Sequence, residues 1–251
     1  MQTSLSFSLR CLAAGATLLL AGCNGQAPQT TEAAPPLKSW MTESFATSPQ
    51  ALLTNDAEFT DGQRLEGASA FLVQVGQKQY AVTAKHLLGE DGGIEPQKTP
   101  SQLNKEIVAW KLFARQRTTD TLQIGQLLNT LDSDSSDALV FSLKSTTTTY
   151  HALTPRYDAP AKDEEVYLIG CPYAEAGCTQ NRYPVRVVET SPTAYLLTEN
   201  ESPNLSGFSG CPVVDKQGRV IGLLSSSLKY ESGEKLTLIT PIGVVKRYLQ
   251  E

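Results

Sequence analysis

Along most of the chain, apolar residues come in short runs broken by turn residues. From about residue 65 these runs read as β-strands: 69–75, 79–83, 107–113, 138–143, 166–169, 184–188, 194–198, 212–214, 219–224 and 235–239. Short runs rich in β-branched and aromatic residues, bounded by Gly, Pro, Asp or Asn, are what half-buried strands require. Two junctions read as hairpins: Gly76-Gln77-Lys78 after the first run, and Asp215-Lys216-Gln217-Gly218 before 219–224. The tail changes period. Ile242, Val244, Val245, Tyr248 and Leu249 fall at roughly helical spacing, which predicts a single terminal helix with Pro241 at its first turn. Many short strands predict an all-β fold, either a sandwich or a pair of barrels, and periodicity alone does not choose between them. No internal repeat is present; residues 133–137 and 146–149 are biased runs that read as loops or strand edges.

The first 60 residues follow a different pattern. Arg10 is the only charge before residue 32, and residues 11–20 form an apolar run ten residues long. That length suits a signal-peptide core and is too short for a membrane-spanning helix. Residues 24–37, NGQAPQTTEAAPPL, are polar and rich in Pro and Ala with no apolar period, the composition of a disordered tether. Residues 38–60 are ambiguous, and 43–53 is compatible with a short helix. The expected division is therefore signal peptide 1–22, linker 23–47 and folded domain 48–251.

Composition changes this picture little. At 251 residues, 40% hydrophobic and 19% charged, the chain suits one large all-β domain. Its net charge of −5 offers neither a basic footprint for nucleic acid nor a polybasic patch for an anionic membrane, so no nucleic-acid partner is expected.

Candidate chemistry sharpens the reading. A serine hydroxyl attacks a carbonyl only when a base takes its proton, an acceptor orients that base, and donors meet the developing oxyanion. Only two histidines exist, His86 and His151, and His86 closes an apolar run, Ala81-Val82-Thr83-Ala84-Lys85-His86. Asp137 directly opens another, Asp137-Ala138-Leu139-Val140-Phe141, whereas the nearby Asp132 and Asp134 open none. Ser209 lies in a glycine-flanked turn, Ser206-Gly207-Phe208-Ser209-Gly210-Cys211-Pro212. Taken singly, each has a plain alternative: a structural histidine, a solvated acidic loop, an ordinary turn.

Together the three segments resemble those of trypsin-like serine proteases. The His86 segment resembles that family's "TAAH" motif, with Lys85 in place of Ala, and Gly67 to Val73 resembles its "GSGFLV" strand. The Asp137 segment resembles "D-x-A-L", and residues 206–214 resemble the "GDSGGPVV" nucleophile loop. The order His, Asp, Ser also matches. The resemblance covers residue 65 to the end. It implies two six-stranded antiparallel β-barrels with a C-terminal helix. It also implies a triad of His86 (base), Asp137 (orienting acid) and Ser209 (nucleophile), an oxyanion hole from the N–H groups of Gly207 and Ser209, a protein or peptide substrate, and no metal or organic cofactor. Phe208 replaces an Asp that pairs with a freshly cut N-terminus in activatable relatives, which argues against activation by that route. Cys211 replaces a Gly and is expected to pack behind the loop, with strain on the oxyanion hole as the alternative. The first specificity pocket would have Ser202, Pro203 and Asn204 at its base, with no acid to favour Arg or Lys. An inactive, peptide-binding relative is the competing function. An α/β-hydrolase esterase fails on order, because there the serine precedes the acid and histidine.

Leu20-Ala21-Gly22-Cys23 resembles the lipobox of bacterial lipoproteins, which implies lipidation at Cys23 and membrane attachment through that anchor. It implies residence in the bacterial envelope, with Asn24 favouring the outer over the inner membrane and the body in the periplasm or at the cell surface. In that oxidising setting one disulfide is expected, with Cys171–Cys178 as the local choice and Cys211 left free and buried. No paired C-x-x-C spacing supports zinc.

Overall fold

The computed structural model describes Met41 and residues 49–116, 119–145, 148–198, 204–229 and 235–250. The signal segment, Cys23, the tether, most of the 43–53 segment and the pocket residues Ser202 and Pro203 lie outside the described residues.

The body is two closed antiparallel barrels of six strands each, and the expectation from the sequence holds. The first is built from β1 (Leu53–Phe59), β2 (Arg64–Val75), β3 (Lys78–Thr83), β4 (Ile107–Phe113), β5 (Leu122–Leu127) and β6 (Leu139–Leu143). These run in the order β1-β4-β5-β6-β3-β2, and β1 pairs with β2 to close the ring. A two-residue strand, β7 (Ala152–Leu153), adds in parallel to the outside of β2. The second barrel comprises β8 (Glu165–Gly170), β9 (Asn181–Thr190), β10 (Tyr195–Thr198), β11 (Pro212–Val214), β12 (Val220–Lys229) and β13 (Lys235–Pro241), in the order β10-β13-β12-β11-β8-β9.

The buried residues form one cluster that fills both barrels. In the first, Phe59, Trp110 and Phe141 stack across the interior, with Trp110–Phe141 ring centroids 4.7 Å apart and tilted. Trp110 satisfies its indole N–H on the buried Asn55 carbonyl at 3.2 Å. Asn55 in turn donates to the Gly67 and Ser69 carbonyls. These carbonyls flank a bulge: Thr54 pairs with Ser69 and Asn55 with Gly67, so Ala68 is the extra residue and takes φ +51°. The second barrel is filled by Val166, Leu168, Val187, Leu197, Val213, Leu223 and Ile239, all fully or nearly fully buried.

β5 and β7 are not among the predicted runs, and β1, a short helix and the terminal helix also depart from the sequence reading. No helix ends at Leu53; that residue opens β1, whose inward positions Leu53, Asn55, Ala57 and Phe59 include a polar and a small residue that hide the alternation. A short helix, α1 (Pro100–Glu106), was not expected, because only Pro100 and Leu103 of its residues are buried and no helical period forms. Finally, the terminal helix is present over Ile242–Tyr248 but is a 3-10 helix, with Pro241 as its N-cap and Leu249 N–H bonded to the Lys246 carbonyl. Among the described residues, no helix is long and apolar enough to cross a membrane.

Candidate active site

The ladder between β3 and β6 brings the first two site residues together. Thr83 pairs with Leu139, so the chain leaving β3 and the chain entering β6 emerge side by side. His86 lies three residues past one end of this pair and Asp137 two residues before the other. His86 opens a 3-10 turn whose Leu87 and Leu88 are buried, which pins the backbone under the ring. Asp137 uses both oxygens on it: Oδ2 lies 2.7 Å from His86 Nδ1, and Oδ1 accepts the His86 backbone N–H at 2.7 Å. This two-point grip fixes both the position and the tautomer of the imidazole, leaving Nε2 as the free nitrogen. Burial presses the His86 pKa down. The hydrogen bond and charge of Asp137, with the charge of Asp91, outweigh it, and the pKa lies above its ordinary 6.5.

The other acids of this loop have different work. Asp132 accepts from the Ser101 N–H and hydroxyl at 2.8 and 2.6 Å. Asp134 accepts from Ser136, from Arg247 at 2.9 Å and from Tyr248 at 3.2 Å, tying the loop to the terminal helix. Lys85 donates its ammonium to the Asp134 carbonyl, so the residue that departs from the motif braces the Asp137 loop.

Ser209 belongs to the second barrel but is held against the first. The Ser69 N–H donates to the Ser209 carbonyl at 2.8 Å, and the Ser69 hydroxyl donates to the Gly207 carbonyl at 2.7 Å. Gly210, at φ +82°, presses against β2 and β3 so closely that a Cβ would lie 2.4 Å from the Ser69 carbonyl and 2.9 Å from the Ala84 nitrogen. Only glycine meets both demands. Gly207 has φ +96°. Among the described residues, neither the Gly207 nor the Ser209 N–H is taken by a protein acceptor, which is the state an oxyanion-binding pair requires. The Ser209 hydroxyl likewise has no hydrogen-bond partner among the described residues. The structure thus joins His86 and Asp137 by direct bonds and seats the Ser209 loop on Ser69, Thr83 and Ala84, at the end of the strand that leads to His86.

Beneath the loop, Phe208 is fully buried. Its ring fills the place of a side chain at Gly170, where a Cβ would lie 2.1 Å from the ring, and it meets the Tyr183 ring at a tilt, centroids 5.5 Å apart. An apolar peg thus stands beneath the loop. Cys211 is also fully buried; burial pushes its thiol pKa far up, and it is inert as a nucleophile. It packs behind the loop, and the φ values of Gly207 and Gly210 on either side of Ser209 are ordinary for glycine. Cys171 and Cys178 form the expected disulfide, with Cα atoms 5.8 Å apart. Among the described residues no cluster of His, Cys, Asp and Glu has the arrangement of a metal site.

A cleft of about 610 Å³ opens beside His86. Its wall mixes apolar surface with hydroxyls, among them Ser133, Ser135, Ser226 and Thr193, and Ser225 and Thr240 share a 2.7 Å bond. Two contributors were not legible in the sequence. Ser69 is concealed as one small residue of a strand, and Tyr173 lies within the disulfide loop.

Residues 68–223 match the family model of the trypsin-like peptidase domain, and the chain belongs to that family of serine endopeptidases. No curated protein matches the sequence. Among solved structures, the Rv3671c protease of M. tuberculosis in its active form superposes with a TM-score of 0.54 at 14% identity, covering 81% of each chain. Its inactive form gives 0.51 at 13% identity, covering 81% of this chain and 89% of that one. A serine endoprotease from Yersinia pestis gives 0.53 at 18% identity, over 80% of this chain and 64% of that one. At these identities the superpositions establish the shared fold.

Proposed function

We propose that the protein is a lipid-anchored serine endopeptidase of the bacterial envelope, using His86, Asp137 and Ser209 as its triad. The observation that carries this reading is the pair of hydrogen bonds that Asp137 accepts from His86, which leaves Nε2 to take a proton. In the proposed cycle, Nε2 accepts the Ser209 hydroxyl proton as the oxygen attacks the scissile carbonyl of a protein or peptide. The Gly207 and Ser209 N–H groups receive the oxyanion. The imidazolium, stabilised by Asp137, protonates the leaving amine, and a water activated by His86 hydrolyses the acyl-enzyme. The anchor is acyl-modified Cys23, which places the domain on a membrane, outer rather than inner, with its body in the periplasm or at the cell surface.

A fluorophosphonate probe tests the chemistry, because only an activated serine is phosphonylated. The folded parent should label and the Ser209→Ala protein should not; a parent that stays unlabelled sinks the protease reading. Metabolic labelling with palmitate tests the anchor, and incorporation that survives Cys23→Ser would remove it. A second reading, a peptide-binding module that keeps the cleft without turnover, rests on the Ser209 hydroxyl having no hydrogen bond to a described residue. The same probe separates the two.

A further inference from the structure

The large cleft beside His86 is only one side of the site. Its lining includes Ser225, Ser226 and Leu238 of β12 and β13. Tyr173 stands against Gly207, and the cleft lining includes neither residue. Tyr173 is held there from several directions. Its hydroxyl accepts the N–H of Ala68, the bulge residue of β2. Its backbone N–H donates to the Ser206 carbonyl at 3.1 Å. Its ring lies on Gly207, where a Cβ would come within 2.8 Å of the ring edge, and its hydroxyl would lie 2.5 Å from a Cβ on Gly67. The Arg115 guanidinium packs on the ring at 5.8 Å and donates to the Pro172 carbonyl at 3.0 Å. The Cys171–Cys178 bridge closes the loop that carries all this. Despite these restraints, Tyr173 is 48% exposed. A large aromatic ring held rigidly beside an oxyanion-binding glycine, with half its surface open, is built for contact rather than for packing.

We infer that Tyr173 is a specificity-determining residue for the leaving-group half of the substrate, forming an apolar wall that favours a bulky apolar side chain just after the scissile bond. This rests on the protease reading. If the acyl half lies along the cleft beside β12, the leaving half passes over Gly67, Ala68 and the Tyr173 ring. The hydroxyl's bond to Ala68 sets the angle of the ring, and the ring itself supplies the contact.

The wall can be read from the second half-reaction alone. An acyl-enzyme, formed from an ester substrate, is offered leucinamide or glycinamide in competition with water. The amine nitrogen attacks the acyl carbonyl, its proton passes to His86 and on to Ser209 Oγ, the C–O bond to serine breaks and an amide bond forms. The ratio of leucinamide to glycinamide capture is measured within one protein, so any loss of acylation rate cancels from it. The parent should prefer leucinamide, and Tyr173→Ala should lower that preference about fivefold. Tyr173→Phe, which keeps the ring, should retain most of it. An unchanged ratio in Tyr173→Ala, or an equal loss in Tyr173→Phe, overturns the assignment. A parent that forms no acyl-enzyme fails the protease reading instead. The contact is then read by titrating leucinamide into Ser209→Ala protein and following the Gly207 and Ala68 amides by NMR. Shifts that vanish with Tyr173→Ala uphold the wall, and shifts that persist or never arise remove it.

Discussion

Replacing Phe208 with alanine tests whether the apolar peg orders the nucleophile loop. Phe208 is completely buried, fills the Gly170 socket and packs at a tilt on Tyr183, ring centroids 5.5 Å apart. Truncating such a phenylalanine costs about 3–5 kcal/mol in transfer and cavity terms. The aromatic pair accounts for about 1 kcal/mol of that. For a domain of this size the melting temperature should fall by roughly 10 °C, read by calorimetry or circular dichroism. The loop above the cavity should loosen as well. Because Gly207 and Ser209 flank position 208, kcat should fall by about two orders of magnitude with a smaller change in KM, as expected when oxyanion donors lose their preorganisation. Phe208→Leu should recover most of both losses. Gly170→Ala should reproduce them, since its methyl would occupy the ring's place. If Phe208→Ala melts within about 2 °C of the parent, well short of the fall expected from the cavity, and keeps its kcat, the loop is ordered by something other than this peg.

Further predictions concern the base and the disulfide. In the proposed cycle His86 accepts a proton only when neutral, and Asp137 raises its pKa above 6.5. Activity should therefore be lost on acidification with a half-point above that value. Asp137→Asn should move the half-point down and lower kcat by about four orders of magnitude, and a profile that ignores the substitution would refute the pairing. The Cys171–Cys178 bridge closes a short loop, a sequence separation of 7, so the paired serine variant should lose about 2.5 kcal/mol on the chain-entropy model. That corresponds to a melting temperature lower by roughly 5–10 °C, measured by calorimetry.

The barrels were largely visible in the sequence, because strands with apolar, β-branched runs announce themselves, and the candidate site residues sit at their ends. His86 and Asp137 were legible for the same reason: each adjoins a buried run. What stayed hidden has a physical cause in each case. The inward face of β1 carries Asn55, whose burial makes sense only once Trp110 and the bulge carbonyls arrive from elsewhere in the chain. In β5 the run is interrupted by Gly125, needed because a Cβ there would lie 2.4 Å from Ser142 Oγ. Tyr173 gains its position from contacts with Ala68 and Gly207, partners 105 and 34 residues away that no local pattern joins. The terminal helix had the right apolar positions but the wrong pitch, since Ile242 and Val245, three apart, suit a 3-10 turn as well as an α-helix.

Among the described residues Cys211 is the one free thiol, and it sits two residues past Ser209 with no exposed surface. That gives the molecule an internal clock. An alkylating reagent cannot reach this sulfur while the loop is seated on β2 and β3, so every modification requires an opening. At low reagent the labelling rate reports the population of the open state, and at high reagent it reports the opening rate itself. Comparing that opening free energy with the global unfolding free energy would show whether the nucleophile loop detaches on its own or only when the whole domain comes apart.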